Sequence, residues 1–569
     1  MSLKSVVWSR HSGFVVLSAL AGLALSGCGG GGGGSGSGTA PTVTITGKIT
    51  FDRIPFKASP QKGLNPDAPI QSPARLVVLE ALDASSQAVL ASTTTSDTGD
   101  YSISIAQNTN VIIRAKAQML KQGAAPTWNF RVLNNTNGDA LYALDSSSFD
   151  TGAVNSTHNL NAASGWGTTS YTGTRAAAPF AVLDTVYSAR QLVLSAVASS
   201  VFPDLNLYWS ATNKPTVNTF CTSSGDIGTT FYTNAAPNAD NCIDGGALAA
   251  GIYVLGDFTQ GDTDEFDQHV IAHEFGHYLE DRFSRSDSIG GSHNPGDKLD
   301  LRLAYSEGWG NAYSGMALND PVYRDSQSGV SSEGGFNLET DVPSVHGWYS
   351  EGSIGGILWD IFDSGTEAGD TVALGFAPIF SVLTGSQATS DALTSIFEFA
   401  AALRTANPNA AQGIDDLLTR ESISTGSDAF GNAETNSGGS VTALPIYRDV
   451  ALNAPTAAVC VGASAGSSDN NKLGNRRFLR LTLTSPMAVT ITATGAVDPA
   501  DTNSVAATDP DMVLYHRGFL QRSEATGQTE TISQQPLASG VYIIELYDFD
   551  LGDTGVGTKP HCMSVFVTG

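Results

Sequence analysis

"HVIAHEFGHYLEDRFSR" spans His269 to Arg285, and the five residues at its centre, His273-Glu274-Phe275-Gly276-His277, decide how the rest of the chain is read. On a helix His273 and His277 stand one turn apart, so both imidazoles project from the same side. Imidazoles so placed suit two corners of a tetrahedral zinc site. Glu274, beside the first of them, reaches a water at that site without joining the ligands. With nine histidines in 569 residues, chance yields such a motif at well under ~0.01 per chain. Phe266, Val270, Phe275 and Leu279 supply an apolar face. Asp262-Thr263-Asp264-Glu265 offers an N-cap with a glutamate three residues on. The stretch predicts a buried helix that carries metal chemistry.

Just upstream, "GIYVLGD" (Gly251–Asp257) reads as a strand that feeds an acidic loop, "FTQGDTDEFDQ". Earlier still, "PFAVLDTVYSARQLVLSAV" places Leu183, Val186, Ala189 and Val193 at helical spacing. Downstream, "SEGWGNAYSGMAL", "SIGGILWDIF" and "IDDLLTRES" read as helices. So does "SDALTSIFEFAAALRTANP", with Leu393, Ile396, Phe397, Ala400 and Leu403 on one stripe. Both flanks of this central part alternate with period two. Residues 41 to about 118 hold "TVTITGKITF", "RLVVLEAL", "YSISIA" and "NVIIRAKA", with a turn at Asp97-Thr98-Gly99-Asp100. Beyond about 455 come "RFLRLTLT", "AVTITATG" and "GVYIIELYD". Residues 119–165 are polar and turn-rich and announce little. A chain this long exceeds one core. The expected organisation is multidomain α+β: a β-sandwich over 41–160, a mixed central domain with a helical C-terminal lobe over 165–450, and a second β-sandwich over 455–569.

The formal charge of −26, with no block of Lys and Arg, excludes nucleic acid as a natural partner. Lys4 and Arg10 precede an apolar stretch, Phe14–Leu25, too short for a comfortable permanent span. It ends in Leu25-Ser26-Gly27-Cys28, which resembles a bacterial lipobox. The resemblance implies a signal peptide over 1–27 and lipid on Cys28. The Gly/Ser tether over 28–40 would then hold the folded chain off a membrane. The implied location is the bacterial cell envelope, with the outer membrane favoured. Four cysteines remain, an even number that reads as disulfides in an oxidising compartment. Of the three pairings open to four cysteines, Cys221–Cys242 and Cys460–Cys562 keep each link inside one expected domain.

A catalytic zinc site needs a third protein ligand. Position 283 is Phe and position 280 is Glu, so a third histidine six residues after His277 is absent. "IYVLGDFTQGDTDEFDQHVIAHEFGH" resembles the strand, acidic loop and active-site helix of thermolysin-like peptidases. "SEGWGN" resembles the glutamate-ligand helix of the fungalysin-like branch of the gluzincins. That resemblance implies a zincin-like metallopeptidase domain with Glu307 as third ligand and Glu274 as general base. Where those families carry an aspartate that orients a zinc histidine, this chain has Asn311, an acceptor without the charge. The relatives also present a histidine, often with a tyrosine, to the oxyanion. In "SVHGWYSEGSIGGILWDIF" the choice falls on His346, with Tyr349 second. His293, in "GGSHNPGD", is a weaker competitor, and His269 reads as a support behind a ligand or as structural. The C-terminal pair "DPDMVLYHRG" and "LASGVYIIELYD" resembles β-domains appended to secreted bacterial peptidases.

The expected activity is zinc-dependent hydrolysis of peptides or proteins, with an endopeptidase favoured. Two other classes stand beside it. One is a surface binding or adhesion protein with a degenerate peptidase fold, and the other a zinc hydrolase of a non-peptide amide or ester. Calcium is a second candidate ion, at the oxygen-rich loops "GDTDEFD" and "DPADTNSVAATDPD".

Overall fold

The computed structural model describes residues 40–569 apart from 216–218, 235–241, 243–247, 365–369, 463–469 and 554–558. The lipobox-like segment and Cys28 lie outside the described residues. Among the described residues no helix is long and apolar enough to cross a membrane.

The N-terminal alternation becomes paired strands. Thr42–Arg53 runs antiparallel to Asp100–Ala106, and Val43, Ile45, Tyr101, Ile103 and Ile105 turn into one core. Gly99 makes the turn between strands at φ +79°, and a Cβ there would sit 2.6 Å from the Ile49 carbonyl oxygen. Only glycine fits that backbone at that distance. A second sheet takes Val77–Asp83, Val89–Thr94 and Asn110–Lys121.

This sheet does not stop where the sequence suggested a domain boundary. Trp128–Asn134 pairs antiparallel with Asn110–Lys121 and parallel with Leu205–Trp209, which pairs parallel with Gly251–Val254. Phe231–Thr233 closes this edge, antiparallel to Gly251–Val254. One ten-stranded sheet thus runs from the N-terminal region to the strand before the histidine motif. Parallel strands need cover on both faces. Helix α1 (Ala177–Ala196) packs on Asn110–Lys121 and Trp128–Asn134, and α2 (Gln268–Phe283) on Phe231–Thr233 and Gly251–Val254. Leu133, Tyr208 and Tyr253 form a separate cluster with Ile227 and Leu248.

The central helices are α2, α3 (Leu301–Leu318), α4 (Glu351–Phe362), α5 (Phe376–Val382), α6 (Ile396–Ala406) and α7 (Ala411–Arg420). Two starts differ from expectation. Helix α2 begins at Gln268 with Asp267 at the N-cap position, and the acidic run before it, buried from Asp264 on, is engaged elsewhere. Glu265 pairs with Arg175, while Asp262 and Asp264 approach Asp325. Helix α6 begins only at Ile396, capped by Ser395. The residues before it are pinned, Ala392 O by Arg285 and Thr394 by Asp287.

The C-terminal region forms two five-stranded sheets. Leu479, Leu481, Met512 and Ile544 from one share a core with Ile491, Ile532, Met563 and Val565 from the other. The first sheet is covered on its outer side too, where Phe478, Val513, Tyr515 and Ile543 join the main core. Both expected disulfides are present, Cys221–Cys242 and Cys460–Cys562. The molecule is β-rich and built from several sheets with helices between them.

Candidate active site

Helices α2 and α3 cross at glycines. A Cβ on Gly276 would lie 3.3 Å from Gly310 Cα, and one on Gly310 would lie 2.7–2.8 Å from three atoms of the His273 ring. Absent side chains let the helices approach until side chains on facing turns meet. Trp309, fully buried, donates its indole N–H to Gly276 O at 2.9 Å and locks the crossing.

The meeting side chains are the two motif histidines and Glu307. His273 Nε2 lies 3.2 Å from Glu307 Oε2, His277 Nε2 lies 3.7 Å from the same oxygen, and the two Nε2 atoms are 3.0 Å apart. Each imidazole's other nitrogen is engaged. His273 Nδ1 meets Asn311 Oδ1 at 2.9 Å, and His277 Nδ1 meets Ser306 Oγ at 3.2 Å. Ser306 in turn donates to Glu280 Oε2 at 2.7 Å, so its oxygen accepts from the ring. Both rings are thereby held with Nε2 turned toward Glu307. Two such imidazoles and one carboxylate fit the donor set of zinc. The carboxyl group missing at Asn311 stands instead behind the other histidine, at Glu280, which burial lifts to about 7.

The electrostatics follow the packing. Burial pushes the His277 imidazole down, but the Glu307 carboxylate outweighs it and lifts the group to about 9. Burial pushes Glu307 up, yet the His277 charge and bonds from His273, His277 and His293 hold it well below the carboxylate range. Glu274 is raised, because burial exceeds the pull of His273 and His277. Its Oε2 accepts the Tyr232 backbone N–H at 2.7 Å, a bond from the edge strand of the sheet that aims the carboxylate. A raised, aimed carboxylate beside two imidazoles suits a proton acceptor.

The structure gathers His273, Glu274, His277, Glu307 and Asn311 as the sequence suggested. It does not bond His346 or Tyr349 to them. His346 Nδ1 contacts Glu421 Oε2 at 2.9 Å with its side chain 37% exposed, and the Tyr349 hydroxyl donates to Asn436 Oδ1 at 3.0 Å. The turn before α4, capped by Ser350, sends these two toward the 421–438 segment and brings Glu351 to the cluster. There Glu351 Oε2 meets His293 Nε2 at 3.3 Å, and the same nitrogen is 3.4 Å from Glu307 Oε2. His293 Nδ1 faces Gly291 O at 3.1 Å. His269 turns its Nε2 to Asp320 O at 3.1 Å instead.

Four residues of this site were therefore missed or ranked low. Glu280 had a signal, since it stands three residues after His277 on the same helical face. Ser306 adjoins Glu307 in sequence. His293 lies in a Gly/Ser/Asn/Pro loop, and Glu351 reads as an ordinary acidic residue in a first helical turn.

No family model matches the chain, and no curated protein matches it. Among solved structures, it is similar over 21% of its length to the pre-peptidase C-terminal domain of a Bacillus anthracis collagenase, at 12% identity, 94% of that chain and a TM-score of 0.15. It is similar over 21% to the surface-associated copper-binding protein CorA of Methylomicrobium album, at 14% identity, 96% of that chain and a TM-score of 0.15. A third likeness, again over 21%, is to the periplasmic lysozyme inhibitor PliG of Aeromonas hydrophila, at 13% identity, 96% of that chain and a TM-score of 0.14. Likenesses at TM-scores this low assign neither fold nor activity.

Proposed function

We propose that this chain is an exported zinc metallopeptidase of the gluzincin kind, an endopeptidase by preference. The observation that supports it is the convergence of His273 Nε2, His277 Nε2 and Glu307 Oε2, with Glu274 aimed beside them by Tyr232. When bound there, zinc supplies Lewis acidity toward a peptide carbonyl and lowers the pKa of water toward neutrality. Glu274 takes the proton from the attacking water and hands it to the departing amine. Asn311 and the Ser306–Glu280 pair hold the imidazoles in orientation. His293, fixed through Gly291 O, is the side chain we place opposite the developing oxyanion, in preference to His346 or Tyr349.

The purified chain is expected to carry about one zinc and to cleave unstructured peptides internally. Metal analysis and a peptide-library digest on one sample test this. A zinc-free chain with full activity overturns the metal centre. A zinc-loaded chain that cuts no peptide favours the non-peptide amide or ester hydrolase, or the degenerate binding protein.

The proposal extends to location. Two disulfides suit an oxidising compartment, and the lipobox-like Leu25-Ser26-Gly27-Cys28 followed by the glycine tether suits a lipid anchor. In a bacterial host the chain is expected in the membrane fraction, and Cys28→Ser is expected to release it or leave its leader uncleaved. Unchanged processing and fractionation of the variant sinks the anchor.

A further inference from the structure

The loop between α2 and α3 brings His293 to the cluster, yet it has little of its own to hold its shape. Gly291, Ser292, Asn294, Pro295 and Gly296 are exposed, and Gly290 and Gly291 stand at φ +60° and +100°. Its own bonds close short turns, such as Gly290 N–H to Ser288 Oγ at 3.3 Å and Asn294 N–H to Asp297 Oδ2 at 3.0 Å. A glycine-rich loop with few buried contacts takes many shapes unless something outside it fixes one.

What fixes this one comes from the C-terminal β-region. Asn471, 181 positions from Gly290, turns its amide on the loop, where Nδ2 donates to Gly290 O at 3.2 Å and to Ser292 O at 3.0 Å. Between those two carbonyls, Gly291 O faces His293 Nδ1 at 3.1 Å. Lys472 Nζ adds a bond to Ser292 O at 2.8 Å and pairs with Asp297 Oδ2 at 3.3 Å. It also donates to Asn471 Oδ1 at 2.9 Å, which leaves Nδ2 as the amide end that faces the carbonyls. Asn471 and Lys472 are both buried. The fit is close, since a Cβ on Gly291 would stand 2.7 Å from Asn471 Nδ2. The same short segment reaches the helix of Glu307. The N–H of Asp300, the N-cap of α3, donates to Asn471 O at 2.8 Å, and Leu473 N–H donates to Lys298 O at 2.9 Å. Lys472 thus bridges antiparallel to Leu299, between the His293 loop and the start of α3.

We infer that Asn471 and Lys472 are positioning residues for catalysis, which hold the 290–298 loop so that His293 faces the metal position. The inference rests on the peptidase reading and gives the C-terminal β-region a share in the active site. Each residue acts through the loop, at the carbonyls on either side of the one that His293 meets. Displacing a reacting group by about 1 Å is enough to cost about 100-fold in rate.

The test uses the full chain loaded with one equivalent of zinc. Asn471→Ala is expected to lower kcat by about 10- to 100-fold, with KM within about twofold and zinc content as in the parent. A merely structural role would lower the folded fraction and leave kcat per folded molecule alone. On a His293→Ala background the loss is expected to vanish, because Asn471 acts through that side chain. Amide hydrogen exchange gives a readout apart from activity. Peptides over 288–298 are expected to exchange about tenfold faster in Asn471→Ala, while those of α2 keep the parental rate. Lys472→Met is expected to move the same readouts in the same direction, and Lys472→Arg to recover most of kcat, since a guanidinium still donates to Ser292 O. In an active parent, unchanged kcat in Asn471→Ala, or losses that add to those of His293→Ala, overturn the positioning role alone. Unchanged exchange over 288–298 overturns the pinning whether or not the parent cleaves. A parent that cleaves no peptide removes the peptidase reading, and this role falls with it.

Discussion

Glu274→Gln is expected to keep its zinc and lose nearly all hydrolysis. The side chain keeps its shape, and the amide oxygen still accepts the Tyr232 N–H that aims Glu274. The three residues that converge on the proposed metal position, His273, His277 and Glu307, are untouched. What disappears is the capacity to take a proton from water, and loss of a general base costs about 10²–10⁴-fold in rate. His273→Ala or Glu307→Ala removes a ligand instead, so zinc content and activity should fall together. Metal analysis and peptide cleavage on the same preparations separate the two patterns. A Glu274→Gln chain that cleaves at the parental rate ends the general-base assignment, and one that sheds its zinc makes Glu274 part of the metal's own support.

Glu545→Gln is expected to destabilise the whole molecule although it lies far along the chain from the motif. Glu545 is fully buried in the strand Gly540–Asp548, where Arg302 grips both oxygens at 2.9 and 2.8 Å. The Tyr515 hydroxyl donates to it at 2.6 Å, and Arg476 adds a further contact. Arg302 also bonds Asp300, the N-cap of α3. Two guanidiniums therefore face two carboxylates in a dry joint between α3 and the C-terminal sheet. Removing one carboxylate charge leaves a buried positive charge uncompensated, which costs about 3–5 kcal/mol. Burial pushes Glu545 up, but Arg302 and Arg476 outweigh it and hold it far below the usual carboxylate range. Its folded pKa is thus depressed, so its stabilisation is complete above the unfolded value near ~4.3 and fades as pH falls below that. Urea titrations should show the variant well below the parent at pH 7, with the gap closing under acid. Equal midpoints at neutral pH would falsify this account of the joint.

Several features of the protein were open to reading in the chain itself. His273 and His277 stand one turn apart on any helix, so their convergence needed only the local fold. Glu307 followed from the likeness of its segment to a ligand helix. Period-two alternation located many of the longer strands on the two flanks, and an even cysteine count, paired so that each link stayed inside one expected domain, matched the two links that formed.

Other features depended on approach between segments with no mutual signal in sequence. Trp128–Asn134 lies in a turn-rich stretch, and only its pairing with Leu205–Trp209 shows that the N-terminal strands and the motif share one sheet. Hydrogen bonding between strands joins residues across any separation, and an alternating pattern does not say which partner completes it. His293 and Glu351 meet because the loop before α3 and the first turn of α4 end at the same place. His346 and Tyr349 miss that place because a single capped turn points them away. Asp264 looks like a solvated acid until burial removes the water, and Asp262 and Asp325 meet it half-buried. Local spacing determined the helix that carries the two histidines and put them on one side of it. The surroundings of those side chains, including their counter-charges and the joint behind α3, were decided only in three dimensions, because a buried charge is tolerated chiefly where distant segments bring it a partner.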